Sequence, residues 1–212
     1  HVDAAMAGSA MLLPEHRYLW EGIEGADSLS WNPHKWMGTI LDTSLFYVRD
    51  QEHLNKVMST NPSYLQSKAD GDVTQYRDWG IPLGRRFRAL KLWFHLCLDG
   101  PEIIRERLRR DIANANWLAE QVRGSPDWEL VAPMTLQTVC VRHKPDNLDA
   151  EALNTHTLTW ARRINDSGAA FLTPSLLDGL WMVRVSVGVE ATERQHVEAL
   201  WQLMQLAAND GL

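Results

Sequence analysis

The stretch Asn32-Pro33-His34-Lys35-Trp36 decides the fold that this sequence of 212 residues predicts. Apolar residues alternate with serines just before it, over 28–31, which is the pattern of a half-buried strand. A second strand-like motif, His1-Val2-Asp3-Ala4-Ala5, lies upstream and breaks at Gly8. Ligands of open α/β sheets lie beyond the carboxyl ends of strands, so Lys35 stands where a site is expected. The motifs therefore predict an α/β sheet that presents a lysine at the end of a strand.

The composition is ordinary for a globular protein, with 45% hydrophobic and 23% charged residues. A net charge of −6 argues against a nucleic-acid partner, which would select a basic surface. No apolar run approaches the ~20 residues of a membrane-spanning helix, so no membrane partner is expected. Cys97 and Cys140 lie far apart without a Cys-x-x-Cys motif, which favours two buried thiols and a reducing, cytoplasmic location. The histidines outside the quoted motifs show no metal-ligand spacing, so no metal site is predicted.

The periodicity of apolar residues predicts that the chain has two structural parts. Residues 1–100 hold the strand motifs, a polar segment at 61–79, and apolar residues from Phe87 to Cys97 that are spaced for one helix face. Gly100-Pro101 predicts the end of that helix and the start of the next. Residues 101–212 mix helical and strand patterns, as a small α+β domain does, and a capping box is predicted at Thr192 and Gln195.

A series of motifs resembles the group II pyridoxal phosphate (PLP)-dependent decarboxylases, most closely the aromatic-L-amino-acid branch. They are His1–Ala10, Gly25–Ser28, Asn32–Trp36, Asn61–Leu65, Tyr76–Trp79 and Pro82–Trp93. The resemblance implies that residues 1–100 are the C-terminal part of a fold-type I, aminotransferase-like large domain with an active-site loop at 61–79. A small α+β C-terminal domain, 101–212, follows. It also implies a homodimer, and an N-terminal half of the same enzyme outside this chain that supplies the phosphate loop.

The resemblance also implies roles for the residues of the first two motifs. Lys35 is the Schiff-base lysine, and a desolvated lysine reacts as the free amine. Asp3 stands among apolar residues, where a buried carboxylate needs a cation, and the protonated pyridine nitrogen of PLP is that cation. Ala5 packs against the cofactor ring. Asn32 and His34 hold the phosphate and the region around the lysine.

Later motifs imply the remaining site residues. Tyr64 lies in the loop that closes over the active site of the partner subunit, and it protonates the substrate carbon after CO2 leaves. Gly84 lines the substrate pocket and leaves room for an aromatic ring. A basic cluster near the loop either steers the substrate carboxylate, or holds the loop shut, or is a solvated face; its members are Arg77, Arg85, Arg86 and Arg88.

The sequence thus predicts a PLP-dependent carboxy-lyase that converts an L-amino acid, with the aromatic branch favoured, to the amine and CO2. One alternative is a sister lyase for an acidic amino acid, which a pocket arginine would favour. Another is an aldehyde synthase of the same family that uses O2; phenylalanine in place of Tyr64 would indicate it. The third is a non-catalytic fragment, because half of the cofactor site would be absent.

Overall fold

The computed structural model describes residues 1–60, 62–66 and 70–209, in two compact units, His1–Glu102 and Ile103–Leu212. The strands are β1 (Val2–Asp3), β2 (Ser28–Trp31), β3 (Leu45–Val48), β4 (Trp128–Leu130), β5 (Thr138–His143), β6 (Thr173–Leu177) and β7 (Leu180–Ser186). The helices are α1 (Gln51–Met58), α2 (Ala89–Leu98), α3 (Gly100–Gly124), α4 (Ala150–Ser167) and α5 (Arg194–Ala208). The mixture of helices and sheets agrees with the predicted α/β class.

The sheet of the first unit has the order β1-β2-β3. β1 runs parallel to β2, with Asp3 opposite Ser30, and β3 runs antiparallel to β2, with Leu45 opposite Trp31. Because β1 and β2 are parallel, their carboxyl ends meet at the same edge of the sheet. The chain segments that follow these two strands are therefore neighbours.

Short 3-10 turns and one long apolar stripe complete the first unit. The turns at Ala7–Leu12 and Pro14–Trp20 follow β1. The predicted stripe lies on α2, although the helix begins at Ala89 and leaves Phe87 outside it. Leu90, Phe94 and Cys97 are all exposed. The prediction that Cys97 is a buried thiol is therefore wrong, because nothing in the described chain covers this face of α2.

The second unit is built around an antiparallel sheet with the order β4-β5-β7-β6. Valines that alternate along β5 and β7 face a core shared with α3, α4 and α5. Trp128 lies inside this core, with its ring centroid 5.6 Å from that of Trp160 and 5.0 Å from that of Trp201, both edge to face. Such pairs add to the hydrophobic gain from burying large aromatic side chains.

Helix α5 begins one residue later than its predicted start. The capping box uses Glu193 and His196 instead of Thr192 and Gln195. The Glu193 side chain accepts from the His196 amide, and His196 Nδ1 accepts from the Glu193 amide at 3.0 Å. The imidazole takes the place of the usual glutamate or glutamine, which is why the sequence pattern misplaced the cap.

The boundary between the units falls in the first turn of α3. The division of functions between 1–100 and 101–212 stays a prediction. Across the described residues, no helix combines the length and the apolar character needed to cross a membrane. In the same part of the chain, no three His, Cys, Asp or Glu side chains group as a metal site would require.

Candidate active site

Backbone hydrogen bonds bring the two predicted motifs together at the carboxyl ends of β1 and β2. The Ala4 amide donates to the carbonyl of Ser30 at 2.9 Å, and the Asn32 amide donates to the carbonyl of Ala5 at 3.2 Å. The parallel pairing continues in this way just beyond both strands. The structure therefore places Asp3, Ala5 and Asn32 at one end of the sheet.

The turn after Asn32 carries Lys35, and the two residues that follow the lysine are buried. The Lys35 amide donates to the Asn32 carbonyl at 3.0 Å, which closes the turn. Trp36 and Met37 are only 2% and 1% exposed, so they fix the backbone next to the lysine. The Lys35 side chain is exposed, and the described residues offer its amine no hydrogen bond or ion pair. Its amine is therefore accessible to a ligand.

The segment just before β3 holds the side chains of His34 and Asn32. His34 Nδ1 lies 3.0 Å from the Thr43 amide nitrogen and 2.7 Å from the Thr43 carbonyl oxygen. Ser44 Oγ donates to Asn32 Oδ1 at 2.7 Å, which orients the amide so that its NH2 group can donate elsewhere. Thr43 and Ser44 were not among the predicted site residues. Their signal in the sequence is a position directly before the apolar, strand-like run 45–48.

Asp3 is exposed in the chain, which corrects the prediction that apolar residues bury it. Its Oδ1 accepts from the Ala5 amide at 2.9 Å, so one oxygen is engaged locally. In the described chain β1 pairs only with β2, and its other edge is open. Solvent therefore reaches the carboxylate, whose second oxygen can accept from a further donor.

Tyr64 lies in a 3-10 turn, Ser63–Leu65, and is 80% exposed. Arg77 anchors this turn, because its Nη1 donates to the Leu65 carbonyl at 2.7 Å while Nη2 lies 3.2 Å from Asp70 Oδ1. Among the described residues, no hydrogen bond joins Tyr64 to the residues around the lysine. Asn61 and 67–69, which belong to the predicted loop, lie outside the described residues.

The predicted arginine cluster does not act as one group. Arg77 anchors the turn of Tyr64, as described above. Arg85 stacks over Tyr76 with its guanidinium carbon 5.8 Å from the ring centroid, and Arg86 is exposed. Arg88 pairs with Asp42, and this hydrogen bond holds the pKa of the Asp42 carboxyl below its ordinary value.

Gly84 is exposed, and a Cβ at this position would meet nothing within 4 Å. In this chain the glycine therefore borders open space. An apolar cavity of about 620 Å³ lies elsewhere in the unit, against Leu29, Trp31 and Tyr47, and does not include Lys35. The lysine, by contrast, stands on an open surface.

The pattern described as the pyridoxal-dependent decarboxylase conserved domain matches residues 1–144, more than half of the chain. The chain belongs to the pyridoxal-dependent decarboxylase family. The match contains every predicted site residue, from Asp3 to Gly84. The predicted family is thereby confirmed.

Relatives in this family extend beyond the chain. Phenylacetaldehyde synthase from Arabidopsis thaliana is 40% identical over 211 residues, which are 99% of this chain and 43% of that protein. Tryptophan decarboxylase TDC2 from Camptotheca acuminata is 39% identical over 215 residues, with the same two shares. The crystal structure of Oryza sativa TDC with PLP and tryptamine matches with a TM-score of 0.91 at 35% identity, over 99% of this chain and 44% of that one. The chain therefore spans less than half the length of these relatives.

The groups at the end of the sheet fit pyridoxal phosphate. This cofactor carries an aldehyde, a phosphate and a pyridine nitrogen. The chain offers an accessible amine on Lys35, a carboxylate oxygen on Asp3 and an amide NH2 on Asn32. An amine can condense with an aldehyde, a carboxylate can pair with a protonated ring nitrogen, and an amide can donate to a phosphate oxygen.

Proposed function

We propose that this chain forms part of an enzyme that uses PLP to decarboxylate an aromatic L-amino acid to the amine and CO2. The observation that carries the proposal is the accessible Lys35 amine, which lies on a turn just beyond β2 next to two buried residues, while the parallel neighbour β1 ends on Asp3. Membership of the family and the likeness to a tryptophan decarboxylase support the reaction and the substrate class.

Five residues of the chain would hold the cofactor, and among them His34 would hold the region around the lysine. Lys35 would bind its aldehyde carbon through Nζ, and Asn32 would donate to the phosphate. The negative charge of Asp3 would keep the pyridine nitrogen protonated, because an opposite charge favours the charged form of a neighbour. The small side chain of Ala5 would leave room for the ring. When bound, PLP supplies an electron sink for the electron pair that the substrate α-carbon keeps when its bond to the carboxylate breaks and CO2 leaves.

Tyr64 would donate its phenolic proton to the α-carbon of the substrate once CO2 has left. Its exposed position on a short turn supports this role, since the residue is available to the active site of a partner subunit. Arg77 would hold this turn in shape through the Leu65 carbonyl. Closure of such a segment excludes water from the reaction.

A second candidate is aldehyde formation with O2, because the Arabidopsis thaliana relative is named an aldehyde synthase. Its 40% identity and the 39% of the decarboxylase do not distinguish the two activities. Tyr64 favours decarboxylation, since a phenylalanine there could not supply the proton.

The proposal includes further parts of the enzyme. The relatives are more than twice as long as the match, and both Lys35 and Asp3 lie on an open surface. We propose that an N-terminal half like that of the relatives completes the site, and that the enzyme is a cytoplasmic homodimer. Without that half, the chain would be the non-catalytic fragment considered above.

The test is to reduce the full-length protein with borohydride in the presence of PLP and to locate the modified peptide by mass. The modification is expected on Lys35, and Lys35→Ala should abolish it. Lys56→Ala, which removes an exposed lysine from α1, is the matched control and should leave it intact. A reducible adduct that persists in Lys35→Ala would overturn the assignment. Amine and CO2 from tryptophan or tyrosine would support decarboxylation, whereas aldehyde and peroxide would favour the second candidate.

A further inference from the structure

We propose that α2 and its N-cap residue Arg88 position the lysine turn. Arg88, Lys91 and His95 bind the segment 39–43 through polar contacts, and this segment holds the backbone that carries His34 and Lys35. We call these three residues the α2 clamp. Their spacing places them on one face of the helix. The inference rests on the proposed function, because it concerns how the same lysine is positioned for its cofactor.

Two basic residues of the clamp hold the middle of the segment. Arg88 Nε donates to Asp42 Oδ2 at 2.9 Å, and Lys91 Nζ donates to the Leu41 carbonyl at 3.0 Å. Lys91 Nζ also lies 3.7 Å from Asp42 Oδ1. These side chains are partly exposed, and a single pair of this kind contributes little. The contacts converge on two adjacent residues, however, so together they restrict one short stretch of backbone.

The third member of the clamp holds the start of the segment through a buried hydroxyl. Thr39 is buried, and its Oγ1 lies 2.8 Å from His95 Nδ1. His95 Nε2 in turn lies 3.1 Å from Asp99 Oδ2, one helical turn further along. The carboxylate accepts from Nε2–H, so in the neutral ring Nδ1 accepts from the Thr39 hydroxyl. Loss of His95 would leave this buried hydroxyl without its partner, which is costly.

Both ends of the segment are joined to the lysine motif. The Thr39 amide donates to the Pro33 carbonyl at 3.0 Å. At the other end, the Thr43 amide lies 3.0 Å from His34 Nδ1. Within the described residues the clamp makes no hydrogen bond or ion pair with Lys35, so it acts through the segment and its members are positioning residues.

Burial does not hold the middle of the segment. Ile40 and Leu41 are 71% and 72% exposed, so the hydrophobic effect contributes little there. Polar contacts therefore restrain this stretch: those from Arg88 and α2, and one within the segment, where Thr43 Oγ1 donates to the Ile40 carbonyl at 3.3 Å. A lysine side chain has four rotatable bonds, and its amine can be placed reproducibly only if the backbone beneath it is fixed.

A charge-reversal cycle tests the proposal in the full-length protein. The variants are Arg88→Asp, Asp42→Arg and the two together, with Lys56→Glu as a charge reversal at an exposed lysine that the clamp does not touch. Amide hydrogen exchange over 39–43 is measured without cofactor. Each single reversal should speed exchange by about tenfold, and the double variant should exchange about threefold more slowly than Asp42→Arg alone, because residues in direct contact show coupling. The recovery is partial because Lys91, 3.7 Å from Asp42 Oδ1, loses its carboxylate partner in both.

The second readout is the affinity for PLP and the rate of borohydride trapping at Lys35. Both should fall in the single variants, recover in part in the double variant and stay unchanged in Lys56→Glu. His95→Gln, whose side-chain oxygen can still accept from Thr39, should keep both values nearer the parent than His95→Phe does. Circular dichroism identifies variants that fail to fold, and for those the milder Arg88→Gln replaces the reversal.

The outcomes separate this inference from the proposed function. Unchanged exchange over 39–43 in the single variants would overturn the clamp, whatever the cofactor does. Faster exchange with unchanged PLP affinity and trapping would mean that the contacts are structural and do not position Lys35, which also overturns the inference. If the parent protein is not trapped at Lys35, the proposed function fails, and the exchange data still decide whether the clamp exists.

Discussion

Gly8→Ala is expected to destabilise the first unit and to disturb the cofactor site. A Cβ at Gly8 would lie 2.3 Å from Trp31 Cδ1 and 2.6 Å from Trp31 Cγ. Carbon atoms pack best at about 3.5–4.0 Å, so more than ~1 Å of overlap must be relieved. The indole ring of Trp31 cannot rotate away freely, because its Nε1 donates to Ser9 Oγ at 3.3 Å and the Trp31 backbone pairs with Leu45 in β3.

Overpacking of this kind costs about 1–3 kcal/mol. The strain also reaches the site, because Trp31 directly precedes Asn32 and shares its backbone. We therefore expect the free energy of unfolding to fall by that amount and PLP affinity to fall with it. Urea denaturation and a PLP titration of the full-length protein measure the two effects.

Gly25→Ala is the matched control, because a Cβ at Gly25 would meet nothing within 4 Å. A second control removes the two closest atoms: in a Trp31→Ala background, Gly8→Ala should cost well under half as much, since only the Cβ of residue 31, at 3.0 Å, remains close. The reasoning is refuted if Gly8→Ala unfolds within about 0.5 kcal/mol of Gly25→Ala, a difference typical of neutral surface changes.

Three more outcomes test individual residues in the full-length protein. Tyr64→Phe should bind PLP and substrate but lose amine production while aldehyde and peroxide rise; amine at the parent rate, measured by chromatography, would show that the phenol supplies no proton. Asp3→Asn should lower the decarboxylation rate by about a hundredfold or more with PLP still bound, and a rate within threefold of the parent would contradict its pairing with the ring nitrogen. Burial, and then the nearby His156, lower the pKa of His143 from its ordinary 6.5, so the unfolded chain binds this proton more readily. The second unit should therefore lose stability as the pH falls below about 6.5, and thermal melts should show less of this loss in His143→Phe.

Local patterns in the sequence determined much of the first unit and predicted its candidate site residues. Alternation over 28–31 predicted β2, and Asn32–Trp36 together with His1–Ala5 predicted the family. The long helix α3 follows from apolar residues at helical spacing, which become its buried face. Such features need only the residues that are close in the chain, because periodicity and turn chemistry are local properties.

Tertiary structure alone decided which residues surround the lysine turn and which surfaces are open. His95 lies 56 positions from Thr39 and carries no motif, so no pattern could pair the two. The exposure of Asp3 depends on the open edge of β1, and that of Cys97 on an uncovered face of α2. Burial and long-range hydrogen bonds depend on which elements meet in space, whereas a local pattern specifies only each element and the face it presents.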